Sequence, residues 1–276
     1  MLADVLNKKT QNIGNLKTVA FYEFCIESCK ISKEEIEKYK NNSKTWEKAI
    51  PKLMRIKGIE QANLSYDVVI VDEGQDFCKE AWKTIEMLVA PDGYFHVFYD
   101  PDQNINQPTY KIPKAPMEIP LTTNHRNTKN IFRKIRPLIT IDGVSANRFS
   151  PKGSGVEEYF IENSEERLKK LCDILQRLKS EKIRGSSIVI LGAHSIKNTC
   201  LENNGIYGGY NIEENTKIHS QGTIPYMTYM KFKGCEASVA ILIDVDKSDP
   251  RWSDNALYTA MSRAQNLLII LWKTKK

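Results

Sequence analysis

Two short strings in this chain carry groups suited to handling a phosphate ester. Asp72-Glu73-Gly74-Gln75-Asp76 and Asp100-Pro101-Asp102-Gln103 each place acids and an amide directly after an apolar run. A carboxylate at such a point can hold a hydrated Mg²⁺, which keeps several waters and binds through one or two acids plus substrate phosphates. A neighbouring carboxylate can orient or deprotonate an attacking water. Asp72 is the candidate metal residue and Glu73 the candidate base. Taken alone, the string reads more readily as a strand end capped by solvated acids.

The elements that would position these acids follow from local pattern. Val68 to Val71 are four β-branched residues in succession, too few for a helix and suited to a strand covered on both faces. Acids at the carboxyl end of such a strand lie where open α/β sheets take their ligands. Tyr94 to Tyr99 reads as a second strand, and Lys79 to Ala90, stopped by Pro91-Asp92-Gly93, as the amphipathic helix between them. Upstream, Phe21, Phe24, Cys25 and Cys29 recur at helical spacing, and residues 31–57 read as surface helix with Trp46, Ile50, Leu53 and Met54 on one face.

The polar, proline-punctuated stretch from Asn104 to Pro116 is the expected linker, with domains over 1–106 and 107–276. Beyond it the α/β alternation resumes. A helix is expected through Leu138, a short strand over Tyr159 to Ile161 and a long helix opened by Ser164-Glu165-Glu166. Strands are expected over Ser187 to Leu191, Val239 to Val245 and Leu267 to Trp272, with a helix over Trp252 to Ala264. That alternation predicts a second parallel sheet. Residues 198–220 carry no clear pattern.

Bulk properties narrow the field less. The chain has 276 residues, 41% hydrophobic content, 27% charged residues and a formal net charge of +6, which allows a polyanionic partner without requiring one. No apolar window approaches a membrane span and the amino-terminal residues lack the core of a secretory signal, so no membrane partner and a cytoplasmic location are expected. The six cysteines are scattered without a CxxC pair, and the four histidines are dispersed; neither set forms a metal or triad pattern.

Five strings taken in order, IVDEGQD, FYDPDQ, LTTNHRNT, MTYMKFKGCE and LYTAMSRA, resemble the UvrD/Rep-like superfamily 1 helicases from about Val19 to Leu271. The resemblance implies an α/β fold of two RecA-like P-loop NTPase domains with parallel sheets, the first truncated at its amino end. It implies ATP and Mg²⁺ as cofactors and single-stranded DNA as partner, with RNA not excluded and the oligomeric state open. By the same resemblance Asp72 is the Mg²⁺ ligand and Glu73 the catalytic base, Gln103 senses the γ-phosphate with Asp100 in support, and Arg126 and Arg263 meet phosphate charge. Gly234 and Glu236 match the nucleotide-binding KGLE string. Thr228, Tyr229, Tyr110 and Phe21 are the candidate DNA contacts.

Three departures stand out. Tyr99 occupies the glycine position of the GDxxQ pattern, Met230 replaces a histidine and Cys235 a leucine. There is also no GxxxxGK[ST] string, whose backbone N–H groups and lysine cradle the phosphates. The chain therefore reads as the carboxyl-terminal part of a helicase or translocase that cannot hydrolyse ATP unaided. The alternative is a non-catalytic nucleic-acid-binding protein that keeps the helicase shape.

Overall fold

The computed structural model describes residues 6, 9–10, 12–28, 32–40, 43–57, 64–105, 112–215 and 222–273. The chain divides into two compact units, one over 2–118 and one over 119–276.

The first unit contains helices α1 (Phe21–Ser28), α2 (Lys33–Lys40) and α3 (Ser43–Lys57), then β1 (Tyr66–Val71), α4 (Lys79–Glu86) and β2 (Val89–Val97). The strands pair in parallel, Val69 opposite Phe95 and Val71 opposite Val97, as the intervening helix requires. Phe24 and Cys25 of α1 pack on Ile50 and Met54 of α3, so the helical spacing read from sequence marks the buried face. Trp82 and Ile85 of α4 close over Val69, Val71, Phe95 and Val97.

Two expectations need correction here. The helix after the acids ends at Glu86, and Pro91-Asp92-Gly93 lies inside β2, where the ladder shifts register between Tyr66 and Val68. A bulge can hold a proline and a glycine that a regular ladder would reject. The strand expected to be covered on both faces is covered on one. Val68 and Ile70 are 50% and 59% exposed, beside the exposed Tyr94 and Phe98, because helices cover only the opposite face.

The second unit opens with the minimal pair β3 (Thr123–Asn124) and β4 (Ser145–Ala146) flanking α5 (Lys129–Ile135). A seven-stranded sheet follows, in the order β5-β11-β10-β6-β9-β8-β7. Its strands are β5 (Glu157–Phe160), β6 (Ile188–Gly192), β7 (Gly205–Tyr207), β8 (Tyr210–Glu214), β9 (Thr223–Thr228), β10 (Ala237–Val245) and β11 (Ala264–Trp272). Every ladder is parallel except the β7–β8 hairpin. The expected parallel sheet is therefore present.

Helix α6 (Ser164–Ser180) buries Leu171, Ile174, Leu175 and Leu178 against this sheet, a single stripe at helical spacing. Its cap is Asn163, one residue before the expected start, with Oδ1 accepting from the Glu166 N–H at 3.1 Å. Helix α7 (Asp254–Met261) is capped by Ser253 and leads directly into β11. Arg167 of α6 is buried and donates to Asp244 of β10 at 2.6 Å, an ion pair that also receives the Cys200 N–H at 2.7 Å.

Residues 205–214, where no pattern was evident, form the β7–β8 hairpin through Gly208-Gly209. Both glycines have positive φ, 53° and 81°, and a Cβ on Gly208 would lie 2.4 Å from Leu175 Cβ. Only glycine fits that turn without moving α6.

Candidate functional site

The chain crosses from β1 into its acids through a loop tied to the end of β2. Phe98 N–H donates to Val71 O at 2.8 Å and Gly74 N–H returns to Phe98 O at 2.9 Å. Gly74 is required by space: a Cβ there would sit 2.7 Å from Val97 Cγ1 and 3.3 Å from the Phe98 carbonyl oxygen. Glu73 adopts a left-handed backbone, φ 54°. That conformation costs a non-glycine residue about 1–2 kcal/mol and persists where surrounding contacts hold it.

Those contacts are hydrogen bonds. Gln75, which is buried, donates from Nε2 to Glu73 Oε2 at 2.6 Å, and its Oε1 accepts the Asp100 N–H at 3.0 Å. Asp100 then accepts from the Asp102 N–H at 3.0 Å through Oδ1 and from Gln103 Nε2 at 2.7 Å through Oδ2. Glu73, Gln75, Asp100 and Gln103 thus form one chain of hydrogen bonds at the carboxyl ends of β1 and β2. Asp72 lies exposed at its edge, Oδ1 accepting the Glu73 N–H at 2.9 Å.

Tyr99 does not disturb this cluster. Its hydroxyl pairs with the Glu118 carboxylate, a bond that together with burial pushes the phenol above its ordinary range. The turn after it still forms, with Asp100 as its cap.

In the second unit, three motif segments meet. Asn127, which is buried, donates to Ser262 O at 3.1 Å and to Ala264 O at 2.6 Å, and its own N–H and Oδ1 bond Asn124. The clamp fixes Arg126 beside Glu236, Nε to Oε2 at 3.2 Å, both side chains well exposed. Glu236 Oε1 also accepts from Gln265 Nε2 at 2.7 Å. Gly234 makes the turn before Glu236 at φ 77°. Asn127 and Gln265 carry structural roles that motif matching passed over; their amide side chains, close to the arginines in sequence, were the available signal.

Arg263 is 1% exposed. Its guanidinium donates to Thr259 O at 2.9 Å, Cys235 O at 3.2 Å and Ser262 Oγ at 2.9 Å. Burial pushes the Cys235 thiol up, so it sits there as a neutral packing group.

Among the nucleic-acid candidates, Thr228 is half-buried at the end of β9, its Oγ1 accepting the Lys231 N–H at 3.4 Å. Tyr229 is 3% exposed, tilted against Trp252 with ring centroids 5.2 Å apart, and donates its hydroxyl to Arg251 O at 2.6 Å. Phe21 meets the Phe77 ring edge-on at 5.4 Å within the first unit's core. Both rings are placed as packing aromatics. Tyr110 lies outside the described residues.

No group of three or more His, Cys, Asp or Glu residues able to hold a metal occurs among the described residues. The Asp72 carboxylate suits the other way of holding Mg²⁺, in which few protein oxygens act with waters and phosphate oxygens. No helix among the described residues is long and apolar enough to cross a membrane.

Residues 226–271 match the family model of the UvrD-like helicase C-terminal domain. The match covers the strings MTYMKFKGCE and LYTAMSRA completely and supports the resemblance to UvrD/Rep-like helicases drawn from them. The crystal structure of the C-terminal domain of a possible DNA helicase from Lactobacillus plantarum WCFS1 is similar at 18% identity and TM-score 0.41. That similarity covers 53% of this chain and 86% of that one. No curated protein matches.

Proposed function

We propose that this chain, a UvrD/Rep-like helicase fragment by its motifs and its match over residues 226–271, is part of an ATP-dependent motor that moves on single-stranded DNA. In this reading the two units are RecA-like domains. The observation that carries it is the hydrogen-bonded chain Glu73–Gln75–Asp100–Gln103, which joins residues of two separate motifs at the end of a parallel pair of strands.

Within it, Asp72 would hold Mg²⁺ and Glu73, held in place by Gln75, would act as base toward an attacking water. Gln103, oriented by Asp100, faces the same chemistry. Mg²⁺ would supply neutralisation of phosphate charge. In the second unit Glu236 binds the nucleotide with Gly234 shaping its turn, and the exposed Arg126 answers phosphate charge, while the buried Arg263 braces the segment before Glu236 through the Cys235 carbonyl. Guanidinium suits that task because it stays charged and can bind phosphate oxygens bidentately. Thr228 contacts the DNA backbone.

The sequence holds no phosphate-cradling GxxxxGK[ST] string, so this chain alone is assigned negligible ATP hydrolysis. The same observation favours the second reading, a nucleic-acid-binding protein that keeps the shape and not the motor. Joining a strand and loop bearing that string ahead of the chain separates the two. DNA-stimulated hydrolysis that depends on Glu73 supports the motor; DNA binding with no hydrolysis supports the second reading.

A further inference from the structure

Residues 119–155 contain seven Lys or Arg and one acid, Asp142, giving +6, equal to the formal net charge of the whole chain. The remainder of the molecule sums to zero. The net positive charge is therefore carried by one segment, α5 and the stretch that returns through β4.

Lys129, Arg133 and Arg136 fall at i, i+4 and i+7, on one side of α5 and its closing turn, while Ile131, Phe132 and Ile135 bury the other. At 1.5 Å per residue this basic stripe runs for about 10 Å. It borders a groove of about 510 Å³ lined by Lys129, Phe132, Arg133, Arg136, Pro137 and Ala146. Across the groove mouth Lys129 Nζ donates to Arg148 O at 2.8 Å, which anchors the following residue, Phe149. Phe149 is 77% exposed, and the Arg148 guanidinium lies 4.4 Å from its ring centroid.

The charges bordering the groove are not consumed internally, whereas two others of the segment are. Arg126 and Lys134 pair with Glu236 and Glu158. Arg133 and Arg136 instead donate to neutral acceptors, Asn130 Oδ1 at 2.8 Å and Ile139 O at 3.0 Å. Among the described residues no carboxylate pairs with Lys129, Arg133, Arg136 or Arg148.

We propose that this groove is a binding surface for single-stranded nucleic acid. Its phosphates are met by Lys129, Arg133, Arg136 and Arg148, and one base stacks on Phe149. An unpaired cationic track beside an exposed aromatic ring is the combination that holds single strands without sequence preference. An acidic peptide would satisfy the charges and leave the ring without a planar partner. A duplex keeps its base faces stacked internally. The surface uses neither nucleotide nor the acids of the first unit, so it stands or falls separately from the motor reading.

The test is fluorescence anisotropy of labelled oligo(dT) with the full chain across a salt series. The combined variant R133Q/R136Q/R148Q is expected to bind at least about tenfold more weakly. It should also flatten the slope of log K against log salt by about 2, at roughly 0.7 for each phosphate no longer neutralised. Phe149→Ala should weaken binding by at least about fivefold and leave the salt slope unchanged. R133K/R136K/R148K should keep the slope. Removing as many charges from exposed positions elsewhere, K169Q/K182Q/R184Q, should change affinity by no more than about twofold. All substituted side chains here are exposed or half-exposed, and an unchanged melting midpoint verifies the fold. The proposal is overturned if the first variant binds like the last, or if duplex DNA or polyglutamate displaces oligo(dT) at equal charge concentration.

Discussion

Gln75 links Glu73 to the start of the second acidic turn: its Nε2 donates to the Glu73 carboxylate at 2.6 Å while its Oε1 takes the Asp100 N–H at 3.0 Å. One buried amide thus fixes the left-handed backbone of Glu73 and the entry of the Asp100–Gln103 turn. Replacing it with leucine leaves the Asp100 N–H and the Glu73 carboxylate each without this partner. Gln75→Leu is expected to cost about 1–3 kcal/mol, measured as the shift in chemical denaturation. An unchanged midpoint would remove the network from the account.

Gly74 passes β2 too closely for a side chain, with the nearest atom 2.7 Å from a Cβ. Gly74→Ala forces Val97 or the Trp82 ring to move, and overpacking of this kind costs about 1–3 kcal/mol. Loss of the Glu73–Gln75 bond should accompany it, visible as faster amide exchange at Asp100.

The Arg167–Asp244 pair is the most deeply buried charge pair among those described, at 4% and 11% side-chain exposure. Arg167→Met strands the Asp244 carboxylate and is expected to destabilise the second unit by about 3–5 kcal/mol. The double variant R167M/D244N should recover a large part of that loss. A double-mutant cycle with no coupling would contradict the pairing.

Asp249 is held below its ordinary carboxylate value of 3.8: burial pushes it up, but the Arg251 N–H and the His194 ring, 2.7 Å away, outweigh it. A depressed carboxylate contributes stability that is complete above its unfolded pKa, near 4, and lost as pH falls through the folded value. Asp249→Asn should therefore lower the melting midpoint by about 2–4 °C at neutral pH, as expected for ~1 kcal/mol. At pH below that folded value variant and wild type should converge. A constant difference across the range would contradict the assignment.

Much of this architecture was legible in the residues themselves. The stripe Leu171, Ile174, Leu175, Leu178 predicted α6 and its buried face, and the unbroken apolar runs predicted β6, β10 and β11, because burial on both faces removes polar residues from such strands. The same logic failed for β1. Its β-branched run records a strand's capacity for burial, while the cover depends on which elements surround it, and Val68 and Ile70 remain exposed. The β7–β8 hairpin went unread although Gly208-Gly209 between Tyr207 and Tyr210 is a recognised two-residue turn signal. Tyr229 and Arg263 show the limit of motif matching: the strings fix the residues' identity, but their near-complete burial comes from tertiary packing that neighbours in sequence do not encode. By contrast the Glu73–Gln75–Asp100–Gln103 chain follows the motifs closely, since the two strings end adjacent parallel strands.

The central claim concerns Glu73 and is most directly tested by steady-state ATP hydrolysis, with Mg²⁺ and with or without single-stranded DNA. The chain alone should show no turnover above background. The chain joined behind a GxxxxGK[ST]-bearing strand and loop should show DNA-stimulated turnover that Glu73→Gln lowers at least about a hundredfold. Turnover near one per second by the chain alone, on the order of ordinary enzyme rates, or hydrolysis in the joined protein unaffected by Glu73→Gln, would contradict it.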